Sequence, residues 1–193
     1  MRRRTALLAV LLLSVTGTVT SCSSGADSTE NRKGQIGFVS SDKGTVSVLD
    51  PRVQAPELSG ETLDGKQLKL SDHRGKVVVL NVWGSWCPPC RAEAADLNEA
   101  SKRLGPSVAF IGLNTRDLDP APARKFVKEF SVSFPSIYDP EGKQLLGFRG
   151  IVAPNAIPST LVIDASGKVA VRVLGPVTAN TLVDMVEKAR TGG

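Results

Sequence analysis

The chain has 193 residues, with 24 Lys+Arg against 19 Asp+Glu for a net charge of +5, and is 41% hydrophobic and 22% charged. These proportions belong to a folded protein, exclude disorder and collagen-like repetition, and suit one domain with appendages rather than two. Three cysteines are too few for a secreted disulfide scaffold, so whatever chemistry they do depends on where they sit.

Arg2, Arg3 and Arg4 precede an apolar run from Ala6 to Leu13, which thins into small polar residues before Cys22. The pattern predicts a signal peptide over residues 1–21, its apolar core well short of the roughly 20 residues that cross a bilayer. Val19-Thr20-Ser21-Cys22 resembles the bacterial lipobox. That likeness implies lipidation of Cys22 and an anchor on the extracytoplasmic face of the cell membrane. Without the three leader arginines the charge falls from +5 to +2. No run of Lys/Arg interleaved with aromatics remains, which argues against nucleic acid as a partner. Residues 22–50 read as a polar tether, small and aperiodic from Ser23 to Asn31, followed by a hairpin that pairs Ile36–Val39 with Thr45–Leu49.

Residues 51–193 form the predicted domain. A second hairpin turns at Asp64-Gly65 between Glu61–Leu63 and Gln67–Leu70, and both hairpins are expected to be peripheral. Val77–Trp83 is a continuous apolar run, as a strand covered on both faces requires. A helix over 88–104, a strand over 108–113 and a helix over 122–130 follow. Next come an extended piece at 136–138, a helical stretch around 141–148, and two strands, 160–164 and 169–174, turning at Ala165-Ser166-Gly167-Lys168. The last helix, 178–189, places Leu182, Met185, Val186 and Ala189 at helical spacing. The expected class is α/β, a central mixed sheet flanked by helices with an N-terminal β-hairpin extension.

Trp86-Cys87-Pro88-Pro89-Cys90 falls where the buried strand hands over to its helix. Two cysteines so spaced on a helix's first turn can close a small disulfide ring, and the helix N-terminus favours a thiolate at the outer one. Cys87 is then the nucleophile, and Cys90, one turn deeper and shielded, resolves the mixed disulfide. A structural zinc site lacks further ligands, with only His73 and Cys22 to offer, and a c-type haem site would need histidine where Arg91 stands. A permanent structural disulfide stays open. No metal or organic cofactor is called for.

Val78-Val79-Leu80-Asn81-Val82-Trp83-Gly84-Ser85-Trp86-Cys87-Pro88-Pro89-Cys90-Arg91-Ala92-Glu93 is followed about 70 residues later by Ile157-Pro158-Ser159-Thr160-Leu161-Val162-Ile163-Asp164. With both motifs in this order, residues 55–190 resemble the TlpA/ResA-like branch of the thioredoxin family. The resemblance implies a thioredoxin-like fold and thiol-disulfide exchange with protein substrates outside the cytoplasm. It further implies a transmembrane electron donor of the CcdA/DsbD kind and often a place in cytochrome c maturation. It also implies that Pro158 is cis beside the disulfide, leaving the Ile157 backbone to pair with an extended substrate segment.

Neither Pro88 nor Pro89 offers an N–H to the Cys87 thiolate, which points to a reductant or moderate exchanger rather than a strong oxidant. Cys90, Glu93, Leu97, Ala100 and Leu104 recur at spacings of 3, 4, 3 and 4. That places a carboxylate on the buried face beside the inner cysteine, where desolvation would raise its pKa and let it exchange a proton with Cys90. Relatives of this type carry a glutamate at the matching position. The competing reading makes Glu93 a first-turn acid serving the helix dipole. Thioredoxin's buried aspartate, six residues before the first cysteine, is Asn81 here, which gives Glu93 more weight. Trp83 reads as core, Trp86 as a partly exposed docking ring, and His73 as solvated. A peroxiredoxin-like peroxidase would want Pro-x-x-x-Thr-x-x-Cys, which residues 80–87 do not supply. A Sco-like copper chaperone would want a longer cysteine spacing and a distal histidine.

Overall fold

The computed structural model describes residues 38–40 and 44–191. The signal peptide, the lipobox with Cys22 and the tether's polar run lie outside them. The described elements are β1 (Phe38–Ser40), β2 (Thr45–Gln54), β3 (Ser59–Glu61), β4 (Gln67–Lys69), β5 (Val77–Trp83), α1 (Pro88–Leu104), β6 (Val108–Thr115), α2 (Pro120–Glu129), β7 (Ser136–Asp139), α3 (Lys143–Gly147), β8 (Ser159–Ile163), β9 (Lys168–Leu174) and α4 (Ala179–Thr191).

One seven-stranded sheet runs in the order β1-β2-β9-β8-β5-β6-β7. Strands β5, β6 and β7 are parallel neighbours, while β8, β9, β2 and β1 add on antiparallel. All seven residues of β5 are buried, as its unbroken apolar run requires of a strand covered on both sides. Val77 and Val79 face the cluster that holds Leu97 and Ala100 of α1 with Leu182, Met185 and Val186 of α4. Val78, Leu80 and Val82 face Leu58, Leu145, Phe148 and Ile151. This is the thioredoxin-like arrangement of helices on both faces of a mixed sheet.

The first hairpin differs from expectation in its place. It extends the main sheet, because β2 pairs with β9 from Thr45 to Gln54, with an irregularity between Val48 and Val53. The second hairpin, β3 with β4, is a separate ribbon that touches the main sheet through a bridge from Thr62 to Ile137. Helix α2 begins at Pro120, two residues earlier than its apolar pattern implies, because the Asp119 side chain accepts from the Ala121 N–H (2.8 Å) and Pro120 fits the first turn.

The turn between β8 and β9 is anchored by Asp164. Its Oδ1 accepts from the backbone N–H of Ser166 (2.9 Å) and Lys168 (3.0 Å) and from the Ser166 hydroxyl (2.6 Å). Its Oδ2 receives Arg52 Nη1 at 2.8 Å, and Arg52 also donates to the Ala189 carbonyl at the end of α4 (3.1 Å). Burial pushes the Asp164 carboxyl up, but these donors outweigh it and hold the pKa down at about 2 against 3.8. A lowered carboxyl pKa stabilises the fold above the unfolded value, and that contribution is lost as pH falls from 3.8 through about 2. Asp164→Ala is expected to cost about 2 kcal/mol at pH 7, or about 4–8 °C of Tm. Its Tm difference from the wild type should shrink across that acid window, which calorimetry between pH 2 and 7 would show.

Candidate active site

The chain leaves β5 at Trp83 and enters α1 through Gly84-Ser85-Trp86-Cys87. The Cys87 N–H returns to the Gly84 carbonyl (3.2 Å) to close this turn. The Trp86 indole folds back over Gly84, where an added Cβ would fall within 2.6 Å of ring atoms, so glycine is required there. Cys87 is the N-cap of α1, with Pro88 and Pro89 in the first turn, so the donor that reaches its Sγ is the Cys90 N–H (3.2 Å). Cys87 and Cys90 are joined as a disulfide.

Sequence reasoning made Cys87 the outer sulfur, yet both cysteines are 2% exposed. They belong to an apolar cluster with Leu63, Trp83, Ala123 and Phe126, against which Ile157 packs. In this disulfide form the Cys87 sulfur therefore lies within that cluster. Trp86 stands beside it at 48% exposed, and Trp83 is core, its Nε1 donating to Ser136 Oγ (3.2 Å).

The Ile157–Pro158 peptide is cis and Pro158 is buried, whereas Pro154 follows a trans bond; Asp50–Pro51 is also cis. The Ile157 N–H is not open to a visiting strand as expected, because it donates to the Asn155 carbonyl (3.1 Å) in a tight turn. The Ile157 carbonyl is the backbone atom left to receive one.

Glu93 is 2% exposed. It is the sixth residue of α1, past the first turn, which removes the helix-dipole alternative. Its Oε1 accepts from Asn81 Nδ2 (2.9 Å) and its Oε2 from the Val177 backbone N–H (3.0 Å). Asn81 Nδ2 also donates to Thr160 Oγ1 (3.1 Å). Burial drives the Glu93 pKa up from 4.5 to about 7; the two hydrogen bonds pull the other way and the charge of Asp96 adds to the rise. Asn81 and Cys90 line one small, mostly apolar cleft of about 10 Å³ with Trp83, Leu97 and Phe126.

Sequence reasoning missed the loop after β6. Arg116 adopts φ 61°, and the carboxylate of buried Asp117 turns inward to take the Ser85 N–H (2.9 Å), the Ser85 hydroxyl (2.5 Å) and Asn114 Nδ2 (2.7 Å). Arg116 Nη2 reaches the Pro154 carbonyl (2.9 Å). This loop therefore fastens the segment before Cys87 to the segment before Pro158. Its signal was the polar run Asn114-Thr115-Arg116-Asp117 at the carboxyl end of a buried strand, where sheets of this kind place functional groups. Arg91 pairs with Glu129 (3.0 Å) and lies over Phe130 at 4.9 Å. A groove of about 700 Å³ runs between the β3–β4 ribbon and α2 but includes neither cysteine.

Residues 51–172 match the AhpC/TSA family. Over 136 residues the chain is 33% identical to a thiol-disulfide oxidoreductase ResA of Bacillus thuringiensis (strain Al Hakam), covering 70% of this chain and 76% of the relative. The ResA of Bacillus subtilis (strain 168) is 32% identical over 139 residues, covering 72% and 75%. Among solved structures, a DsbF homologue from Corynebacterium diphtheriae is 36% identical, with a TM-score of 0.70 over 80% of this chain and 99% of that one. A secreted thiol-disulfide isomerase from Corynebacterium glutamicum is 30% identical, with a TM-score of 0.66 over 83% and 95%.

The buried Glu93 has a measurable consequence for stability. Its pKa is raised on folding, so between 4.5 and about 7 the folded chain holds a proton that the unfolded chain has released, and stability declines as pH rises through that window. Glu93→Gln keeps the shape and removes the titration. Its urea midpoint should be flatter than the wild type's from pH 4.5 to 8, and an unchanged slope would contradict the assignment.

Proposed function

The chain belongs to the AhpC/TSA family and is a thiol-disulfide oxidoreductase of the ResA-like kind, and from that footing we propose that it reduces protein disulfides outside the cytoplasm. The observation that carries this reading is the closed Cys87–Cys90 pair at the mouth of α1 with Ile157, of the cis pair, packed against its cluster.

In the reduced enzyme, the Cys87 thiolate attacks one sulfur of a substrate disulfide. A mixed disulfide forms and the substrate's other sulfur leaves as a thiolate, which takes up a proton. Cys90 gives its proton to Glu93 and attacks Cys87 Sγ, which closes the Cys87–Cys90 bond and expels the second substrate thiolate. Glu93 then returns the proton to that leaving sulfur. Two electrons have passed from the cysteine pair to the substrate, and a thiol reductant restores the enzyme. Support for Glu93 in this role comes from its burial, its raised pKa and its place one turn after Cys90 on α1. Trp86 and the Ile157 carbonyl are the contacts offered to the substrate chain, with Pro158 shaping the second.

The ResA-like resemblance supports a transmembrane reductant of the CcdA/DsbD kind as electron source and haem-protein maturation as destination. The secreted Corynebacterium glutamicum relative supports work outside the cytoplasm, and Val19-Thr20-Ser21-Cys22 supports a lipid anchor at Cys22. A peroxidase reading finds Leu80 and Gly84 where its pattern requires proline and threonine. A copper-chaperone reading fails on distance, because His73 precedes β5 and Cys87 follows it, a separation of roughly 20 Å along the strand.

Cys90→Ser should accumulate mixed disulfides on Cys87 when the protein is incubated with oxidised protein substrates, and Cys87→Ser should accumulate none; mass spectrometry reads both. With two prolines behind Cys87, the midpoint potential against glutathione buffers should lie well below about −120 mV, toward about −270 mV. A value at the oxidising end would overturn the reductase assignment.

A further inference from the structure

Glu93 is not alone in gripping the segment before α4. Asp96, one turn further along α1, accepts the Ala179 N–H on its Oδ1 (2.9 Å), two residues beyond the Val177 N–H that Glu93 Oε2 accepts (3.0 Å). Two carboxylates at i and i+3 on one helix therefore hold N–H groups of the same short stretch of backbone. Each has a local reason to be there. Asp96 meets the first N–H of a thirteen-residue helix, where an ordinary acid side chain is favoured by the orphan donors. Glu93 is buried where its own charge is poorly solvated, with Asn81 as its other donor.

We propose that Asp96 is a positioning residue for the redox reaction: its negative charge, held in place by the Ala179 N–H, strengthens Glu93 as the acceptor of the Cys90 proton. The inference rests on Glu93 serving Cys90 as proton partner.

Little else competes for control of that proton. Strand β5 presents neutral Asn81 to Glu93, and β8 presents neutral Thr160 to that Asn81. Helix α4 turns Ala179, Leu182, Met185 and Val186 toward α1. Arg103, on α1, is engaged by Asn180 Oδ1 at 2.8 Å, two turns beyond Asp96. Glu93's raised pKa fits this arrangement, with the Asp96 charge among its causes after burial. A capping asparagine could accept the same N–H without the charge. An acid at this position therefore has an electrostatic consequence separable from its capping role.

Asp96→Asn separates the two in the full chain. Carbon-13 NMR of the Glu93 carboxyl would follow its titration directly, and iodoacetamide alkylation of the reduced protein would follow the pH dependence of the cysteines. The expected result is a Glu93 midpoint lower by about half a unit or more in Asp96→Asn, with the cysteine profile displaced as well and the melting temperature close to wild type. Asp96→Ala should show the same displacement plus a lower melting temperature from the lost cap. A Glu93 midpoint that Asp96→Asn leaves in place would overturn the proposal. So would a midpoint that moves while the cysteine profile stays fixed. In that second case, a Glu93→Gln profile that is also fixed would locate the failure in the proton-partner reading, and one that shifts would locate it in Asp96.

Discussion

The structure turns on a carboxylate held out of water one helical turn after the inner cysteine. Glu93 faces a desolvation cost that two donors only partly offset, and the balance leaves it titrating near neutrality rather than with ordinary glutamates. That balance requires α1 to pack on the sheet so that Asn81 can reach one oxygen, and the segment before α4 to pass where Val177 can reach the other. The packing of both helices over Val77, Val79 and Val162 is what keeps those distances. Core and chemistry share the same contacts.

A second constraint acts at the carboxyl ends of the parallel strands. β5 releases the loop to Cys87, β6 releases the loop of Arg116 and Asp117, and the chain reaches Pro158 just before β8 pairs with β5. Asp117 binds the first of these loops through Ser85, and Arg116 binds the third through the Pro154 carbonyl. The left-handed conformation of Arg116 belongs with this arrangement. It costs about 1 kcal/mol or more and persists because hydrogen bonds on both sides fix it. Two segments about 70 residues apart in sequence are thereby held in one register around the disulfide.

Burial of both sulfurs gives the disulfide form a specific character. Its cluster shields the bond, and Trp86 marks the one large apolar ring left in the open beside it. A small reductant therefore meets a covered bond.

Much of this was legible in the residues alone. The junction of β5 with α1 was legible in Trp86-Cys87-Pro88-Pro89-Cys90, and the burial of β5 in its unbroken apolar run, because these are local or periodic signals. The 3-4-3-4 recurrence placed Glu93 on the buried face of its helix. What periodicity could not supply was the identity of groups arriving from distant chain: Asn81 as the donor to Glu93, Val177 and Ala179 as the backbone that Glu93 and Asp96 hold, Asp117 as the fastener of Ser85. Nor could it foresee that Cys87 is as covered as Cys90, or that the Ile157 N–H is spent on Asn155. Helical and strand spacing report which face a side chain takes. Only the closing of the sheet, with β2 joining β9 and β8 joining β5, decides what stands opposite that face, and hydrogen bonds and desolvation depend on what stands opposite.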